Sequence, residues 1–186
     1  AHTHDLWRSP KGVAEMTEAL HRMVNRRFRI MEVCGTHTMS IARAGLRQLL
    51  PSGLELISGP GCPVCVTDQA DLDWALALAD LPQVTITSFG DLLRVPGDHG
   101  SLTERRAQGA DVRVVYSIMD ALALAERLPE REVVFVAIGF ETTAPGIAAG
   151  LMEARRRSLR NFSIIPLLKT MPRALELLLG EETAVD

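Results

Sequence analysis

Three cysteines stand in this sequence, in two stretches that also carry glycine. Cys34 lies in "EVCGTH" (32–37), and Cys62 and Cys65 end "SGPGCPVC" (58–65). A Cys-x-x-Cys pair closes a strained, readily reduced disulfide or sets two thiolates on one soft metal ion. Pro63 stiffens the turn between the two, and Asp68 and Asp71 then open the next helix. The pair resembles the redox motif of thioredoxin-like proteins but lacks its companions, because a whole strand–helix–strand precedes it. Cys34 ends a strand candidate, Gly35 permits a sharp turn, and His37 stands three residues on, near a helix start. The positive end of a helix dipole favours the thiolate, and His37 adds a cation, a proton carrier or a ligand. The plainer alternative for Cys34 is a buried small hydrophobe.

Read together, Cys34, His37, Cys62 and Cys65 form C-x-x-H…C-x-x-C, a Cys3His set that would also suit structural zinc. Against zinc, the chain holds enough apolar residues to fold without a metal. A third stretch, "GFETTAP" (139–145), carries Glu141 out at a strand end. Thr142 or Thr143 is placed to cap the helix that follows, with Pro145 in its first turn. Capping accounts for the threonines, and Glu141 is expected to face a cleft between two domains. His2, His4, His21 and His99 stand without partners in the sequence and are expected on the surface. "GPGCPVC" has neither the Lys-Ser/Thr of a P-loop nor G-x-G-x-x-G, which sets nucleotide binding aside.

The elements that must position these groups alternate from end to end. Helical spacing runs through 12–26, with Val13, Met16, Leu20, Met23 and Val24 as the apolar stripe, and through 38–50 up to Pro51. Further helices are expected over 68–80, 102–108, 118–128, 143–157 and from Pro172. Strands are expected at 29–34, 54–58, 83–88, 111–117, 132–139 and 162–168, with a long loop at 89–101. Such alternation implies α/β architecture: two Rossmann-like domains with parallel sheets flanked by helices. Pro129, in the polar run "ERLPERE" (126–132), marks the expected boundary, giving domains 1–130, with four strands and the cysteine motifs, and 131–186. Two strands make a poor domain, so the second domain is expected to be truncated and the chain a fragment. Ligands of open parallel sheets sit at the carboxyl ends of the strands. All three motifs leave such ends, and Cys34 is expected close to the Cys62–Cys65 pair.

Composition narrows the class. The 186 residues are 47% hydrophobic and 23% charged, with a net charge of −3 and no long basic run, so nothing points to nucleic acid or an anionic membrane. No stretch reaches the roughly 20 apolar residues of a membrane span, and the polar N-terminus does not read as a signal peptide. An odd, low cysteine count suits a reducing cytoplasm. Arg155, Arg156 and Arg157 are read as a solvated helix C-terminus.

"CGTH" (34–37), "GPGCPVC" (59–65) and "GFETTAP" (139–145), in this order and spacing, resemble the motifs of the HypD family of hydrogenase maturation proteins, from about residue 13 to the end. The resemblance implies a scaffold on which the Fe(CN)2CO unit of nickel–iron hydrogenases is built, working with the small chaperone HypC and taking cyano groups from HypE. It implies that Cys34 holds the iron, within a binding set of Cys34, Gly59, Gly61 and Thr142. Cys62 and Cys65 would form the redox-active thiol–disulfide pair, with His37 and Glu141 among the reactive positions. The family's 4Fe–4S cluster is expected only in a C-terminal region absent from this sequence. Soft, electron-rich iron suits thiolates, and a dithiol closing to a disulfide supplies electrons. Two other readings stand beside this one: a stand-alone thiol–disulfide oxidoreductase and a structural zinc-binding α/β domain.

Overall fold

The computed structural model describes residues 9–180 and residue 185; His2 and His4 lie outside the described residues. Among these, six strands alternate with eight α-helices. In order they are α1 (Pro10–Met23), β1 (Phe28–Glu32), α2 (Gly35–Arg43), α3 (Leu46–Leu49), β2 (Leu54–Ser58), α4 (Gln69–Ala79) and β3 (Val84–Ser88). A 3-10 turn (Leu92–Arg94) follows, then α5 (Leu102–Ala107), β4 (Asp111–Val114), α6 (Ile118–Arg127), β5 (Glu132–Gly139), α7 (Ala144–Arg156), β6 (Phe162–Leu168) and α8 (Met171–Leu179). No helix among the described residues is long and apolar enough to cross a membrane.

The architecture is α/β with two parallel sheets flanked by helices. β1 and β2 pair in parallel from Phe28↔Leu54 to Glu32↔Ser58. The other four strands form a second parallel sheet in the order β4-β3-β5-β6. The chain divides into two compact units: residues up to Cys62 with those from Leu175 on, and Pro63–Ala174.

This division replaces the expected boundary near Pro129, which would cut the larger sheet in two. β5 pairs directly with β3, Val84 facing Glu132, so residues on either side of Pro129 share one sheet. The loop before β5 is tied into it: Arg131 donates to the Val84 carbonyl and the Thr85 hydroxyl, each at 2.8 Å. A polar, proline-bearing run has the same composition whether it links domains or turns a chain between a helix and its next strand. The expected four-stranded sheet of the first domain is likewise two strands here, because β3 and β4 belong with β5 and β6.

In the larger unit β5 is the central strand, and its two faces feed two cores. Val134, Val136 and Ile138 pack with Leu72 and Leu76 of α4, while Phe135 and Ala137 pack with Ile118 and Ala121 of α6 and Ile147 of α7. β3 is buried throughout despite three hydroxyl side chains. Thr87 and Ser88 satisfy theirs by donating to the carbonyls of Val134 and Val136, at 3.1 and 3.0 Å, and so avoid the cost of unpaired buried polar groups.

Candidate functional site

In the first unit, β1 and β2 run side by side and end together at Glu32 and Ser58. The two loops that leave them therefore start as neighbours. "GPG" (59–61) folds back onto the exit of β1: Gly59 N–H donates to the Glu32 carbonyl at 2.8 Å, and Gly35 N–H to the Gly61 carbonyl at 3.3 Å. Glycine is required at both ends of this contact. A Cβ on Gly61 would collide with the backbone of Val33 and Cys34, and one on Gly59 would meet the Met31 thioether and the Glu32 carbonyl. Cys62 follows Gly61 directly, which keeps its Cα within about 8 Å of that of Cys34.

Cys34 itself is the N-cap of α2, in extended conformation with φ −155 and ψ 118. The Thr38 N–H donates to its carbonyl at 3.0 Å, the first bond of the helix. Its thiol makes no capping hydrogen bond. Glu32 braces this start from upstream, taking the Cys34 N–H on Oε2 at 2.9 Å and the Thr38 hydroxyl on Oε1. The Thr38 hydroxyl, then the Cys34 amide, hold the Glu32 carboxyl below the usual carboxylate range; the Ser58 hydroxyl and His37 add to this, and desolvation opposes it. Gly35, Thr36 and His37, the first turn of α2, are exposed.

Cys34 and Cys62 are half-buried and Cys65 is exposed, with no disulfide among them. Cys62 closes the first unit and Cys65 lies at the start of the second. The turn carrying Cys65 is braced by Thr67, which donates from its hydroxyl to the Pro63 carbonyl at 2.8 Å and from its N–H to the Val64 carbonyl at 3.2 Å. Val64 packs onto the α4 core. Among the described residues, no three or more His, Cys, Asp and Glu side chains are gathered as a metal site; the Cys3His set is not assembled here.

Glu141 and Thr142 lie in the second unit, in the turn after β5, both exposed. Glu141 makes a local contact, its Oε1 accepting the Met171 N–H at 2.7 Å at the first residue of α8, and it also lines a cavity. Thr143 stands at the N-cap of α7 without a side-chain cap bond, and its side chain fills the space over Gly139. A shallow, mostly apolar cavity of about 370 Å3 opens beside it, between Phe140, Pro145, Leu168 and Lys169. Thus the structure brings Cys34, Gly59, Gly61 and Cys62 together and places Cys65, Glu141 and Thr142 in the other unit. A larger cavity of about 740 Å3, lined by Arg27, Arg29, Arg47 and Glu55, opens at the amino ends of β1 and β2, away from the thiols.

Two other groups sit where expected, His21 exposed and Arg155–Arg157 at a helix C-terminus, and gain partners. His21 is exposed yet partnered, its Nε2 lying 3.0 Å from the Leu49 carbonyl. Within the Arg155–Arg157 run, Arg156 and Arg157 are ion-paired with Glu153, and Arg157 reaches Glu126 of α6 at 3.1 Å. The residue that sequence reasoning missed is Glu32. Its signal was present: a carboxylate just ahead of a helix start, with a threonine in that helix's first turn.

The fold and site define a class: an α/β protein whose cysteine-bearing loops leave neighbouring carboxyl ends of parallel strands. Residues 11–186 match the family model described as "HypD: Hydrogenase formation hypA family", and the chain belongs to that family. It is 45% identical over 181 residues to the hydrogenase maturation factor HypD of Escherichia coli strain K12, covering 90% of this chain and 48% of that protein. With the HypD of Rhodobacter capsulatus it shares 45% over 169 residues, 91% of this chain and 45% of the relative. With that of Rhizobium leguminosarum bv. viciae the identity is 54% over 140 residues, 75% and 36%. The chain spans about half the length, or less, of these curated relatives.

Proposed function

We propose that this chain is part of a scaffold for building the Fe(CN)2CO unit of nickel–iron hydrogenases, with Cys34 as the ligand that holds the iron. The observation that carries this reading is the contact of the Gly59–Gly61 loop with the Cys34 backbone, which sets two half-buried thiols at one strand edge. The iron unit is cargo, and a soft thiolate suits it. Cys62 and Cys65 are the electron source: closing their disulfide releases two electrons and two protons. His37, exposed in the first turn of α2, is the acceptor assigned to the thiol proton as the metal arrives. The small chaperone HypC supplies a second ligand and HypE the cyano groups, in a reducing cytoplasm.

The exposure of Cys65 favours one further reading, a thiol–disulfide oxidoreductase exchanging with a partner's disulfide. Cys34 separates the two, because simple exchange has no use for it. The test is metal analysis of the full-length protein purified anaerobically with and without HypC. Near-stoichiometric iron beyond the share of the C-terminal 4Fe–4S cluster, present only with the partner, supports the scaffold. Cluster iron alone in both states, with normal disulfide exchange, would favour the oxidoreductase.

A further inference from the structure

We infer that Glu32 is a positioning residue for Cys34, bracing the start of α2 through the Cys34 amide and the Thr38 hydroxyl while the thiol itself stays uncommitted. The inference rests on the proposed role of Cys34 and adds a residue that the motif itself does not contain. An N-cap side chain usually accepts a hydrogen bond from an amide of the first helical turn. Cys34 holds that position without such a bond, and a thiol is a weak acceptor. Two residues upstream, the Glu32 carboxylate spans the gap, one oxygen on the Cys34 amide and the other on the Thr38 hydroxyl.

Its main chain does a second job, because the Glu32 carbonyl takes the Gly59 N–H. One residue therefore ties together the end of β1, the first turn of α2 and the glycine loop that leads to Cys62. A negative charge at this helix N-terminus also complements the dipole. Glu32 thus holds the Cys34 backbone in its extended N-cap conformation and leaves Sγ available to bind an outside partner. Thr38 keeps the carboxylate in place.

The test is site-resolved alkylation with iodoacetamide of the reduced full-length protein, read by peptide mapping, with the exposed Cys65 as internal reference. Melting temperature is followed in parallel. In Glu32→Ala the Cys34 rate relative to Cys65 should change several-fold, up to about tenfold, the factor one hydrogen bond carries. Thr38→Val should move it in the same direction by less. Glu32→Gln keeps an oxygen acceptor for the Cys34 amide and should restore the parent ratio to within about twofold.

An unchanged ratio in Glu32→Ala overturns the inference, as does an equal change at all three cysteines, which would mark a general loss of structure. A second arm measures iron in the HypC complex. Loss of iron in Glu32→Gln with the Cys34 ratio intact would make Glu32 a direct ligand and overturn positioning. Retained iron beyond the 4Fe–4S cluster in Cys34→Ala would sink the proposed function while leaving the alkylation result to decide Glu32 by itself.

Discussion

Gly61 lies flat against Cys34, so close that even a methyl group on Gly61 would overlap the Cys34 amide nitrogen and Cα. The obstruction is backbone, which cannot rotate away as a flexible side chain does. Gly61→Ala should therefore push the two loops apart, costing about 1–3 kcal/mol as overpacking does and lowering the melting temperature by several degrees. Gly59→Ala should cost less, because the first atoms it meets belong to the Met31 side chain. Thermal melts of the two variants decide the order; a milder Gly61→Ala would mean that the loop contact is looser than described.

Glu141 accepts the Met171 N–H at the start of α8. A carboxylate there satisfies an orphan amide and complements the dipole, so Glu141→Ala should destabilise by about 1 kcal/mol. Glu141→Gln, which retains the acceptor, should lose less. If Glu141→Ala left the melting temperature unchanged but halted cofactor assembly, the residue would be chemical rather than structural.

Asp111 opens β4 and is held by Arg113, at 2.7 and 2.9 Å, by the Thr85 hydroxyl at 2.8 Å, and by Arg131 at 3.4 Å. Arg113 first, then Thr85, lower its carboxyl below the ordinary aspartate value against an opposing desolvation. A carboxyl depressed in the folded state stabilises above its unfolded value, and that stability is lost as pH falls through the folded one. The parent should lose more stability than Asp111→Asn between about pH 5 and pH 2. The group is partly exposed, so the difference is limited to about 1–2 kcal/mol. Urea unfolding across that range measures it; parallel curves for the two proteins would contradict it.

The strands were the most legible part of the sequence. "LELIS" and "EVVFVAIG" match β2 and β5 at both ends, because apolar and β-branched runs between turn residues have few other uses. Helix boundaries read less well where local chemistry intervenes. The helix expected over 38–50 is two, broken where Gly45 takes φ 60. It also begins earlier, at Gly35, since glycine and threonine in the first turn disguise a helix start. The division into units was not legible: β3 and β5 pair only after α6 crosses the sheet, and no local pattern records that crossover. At the site, the cysteines and glycines stood out by residue type. Glu32 did not, because a carboxylate at a strand end looks like surface until Thr38 and the Cys34 amide fold back onto it.

The central claim concerns the division of labour among the thiols, and iron content with the infrared bands of bound cyanide and carbon monoxide measures it most directly. The full-length protein and its Cys34→Ala, Cys62→Ala and Cys65→Ala variants would each be purified anaerobically with HypC. Cys34→Ala should keep only the cluster iron and lose every band, while Cys62→Ala and Cys65→Ala keep part of the additional iron and lack the assembled ligand bands. All three should melt close to the parent, since truncations of loop side chains outside the core usually cost within about 0.5 kcal/mol. Retained iron and bands in Cys34→Ala would contradict the account outright. Equal iron loss in all three with a large fall in melting temperature would contradict it too, in favour of a structural metal site.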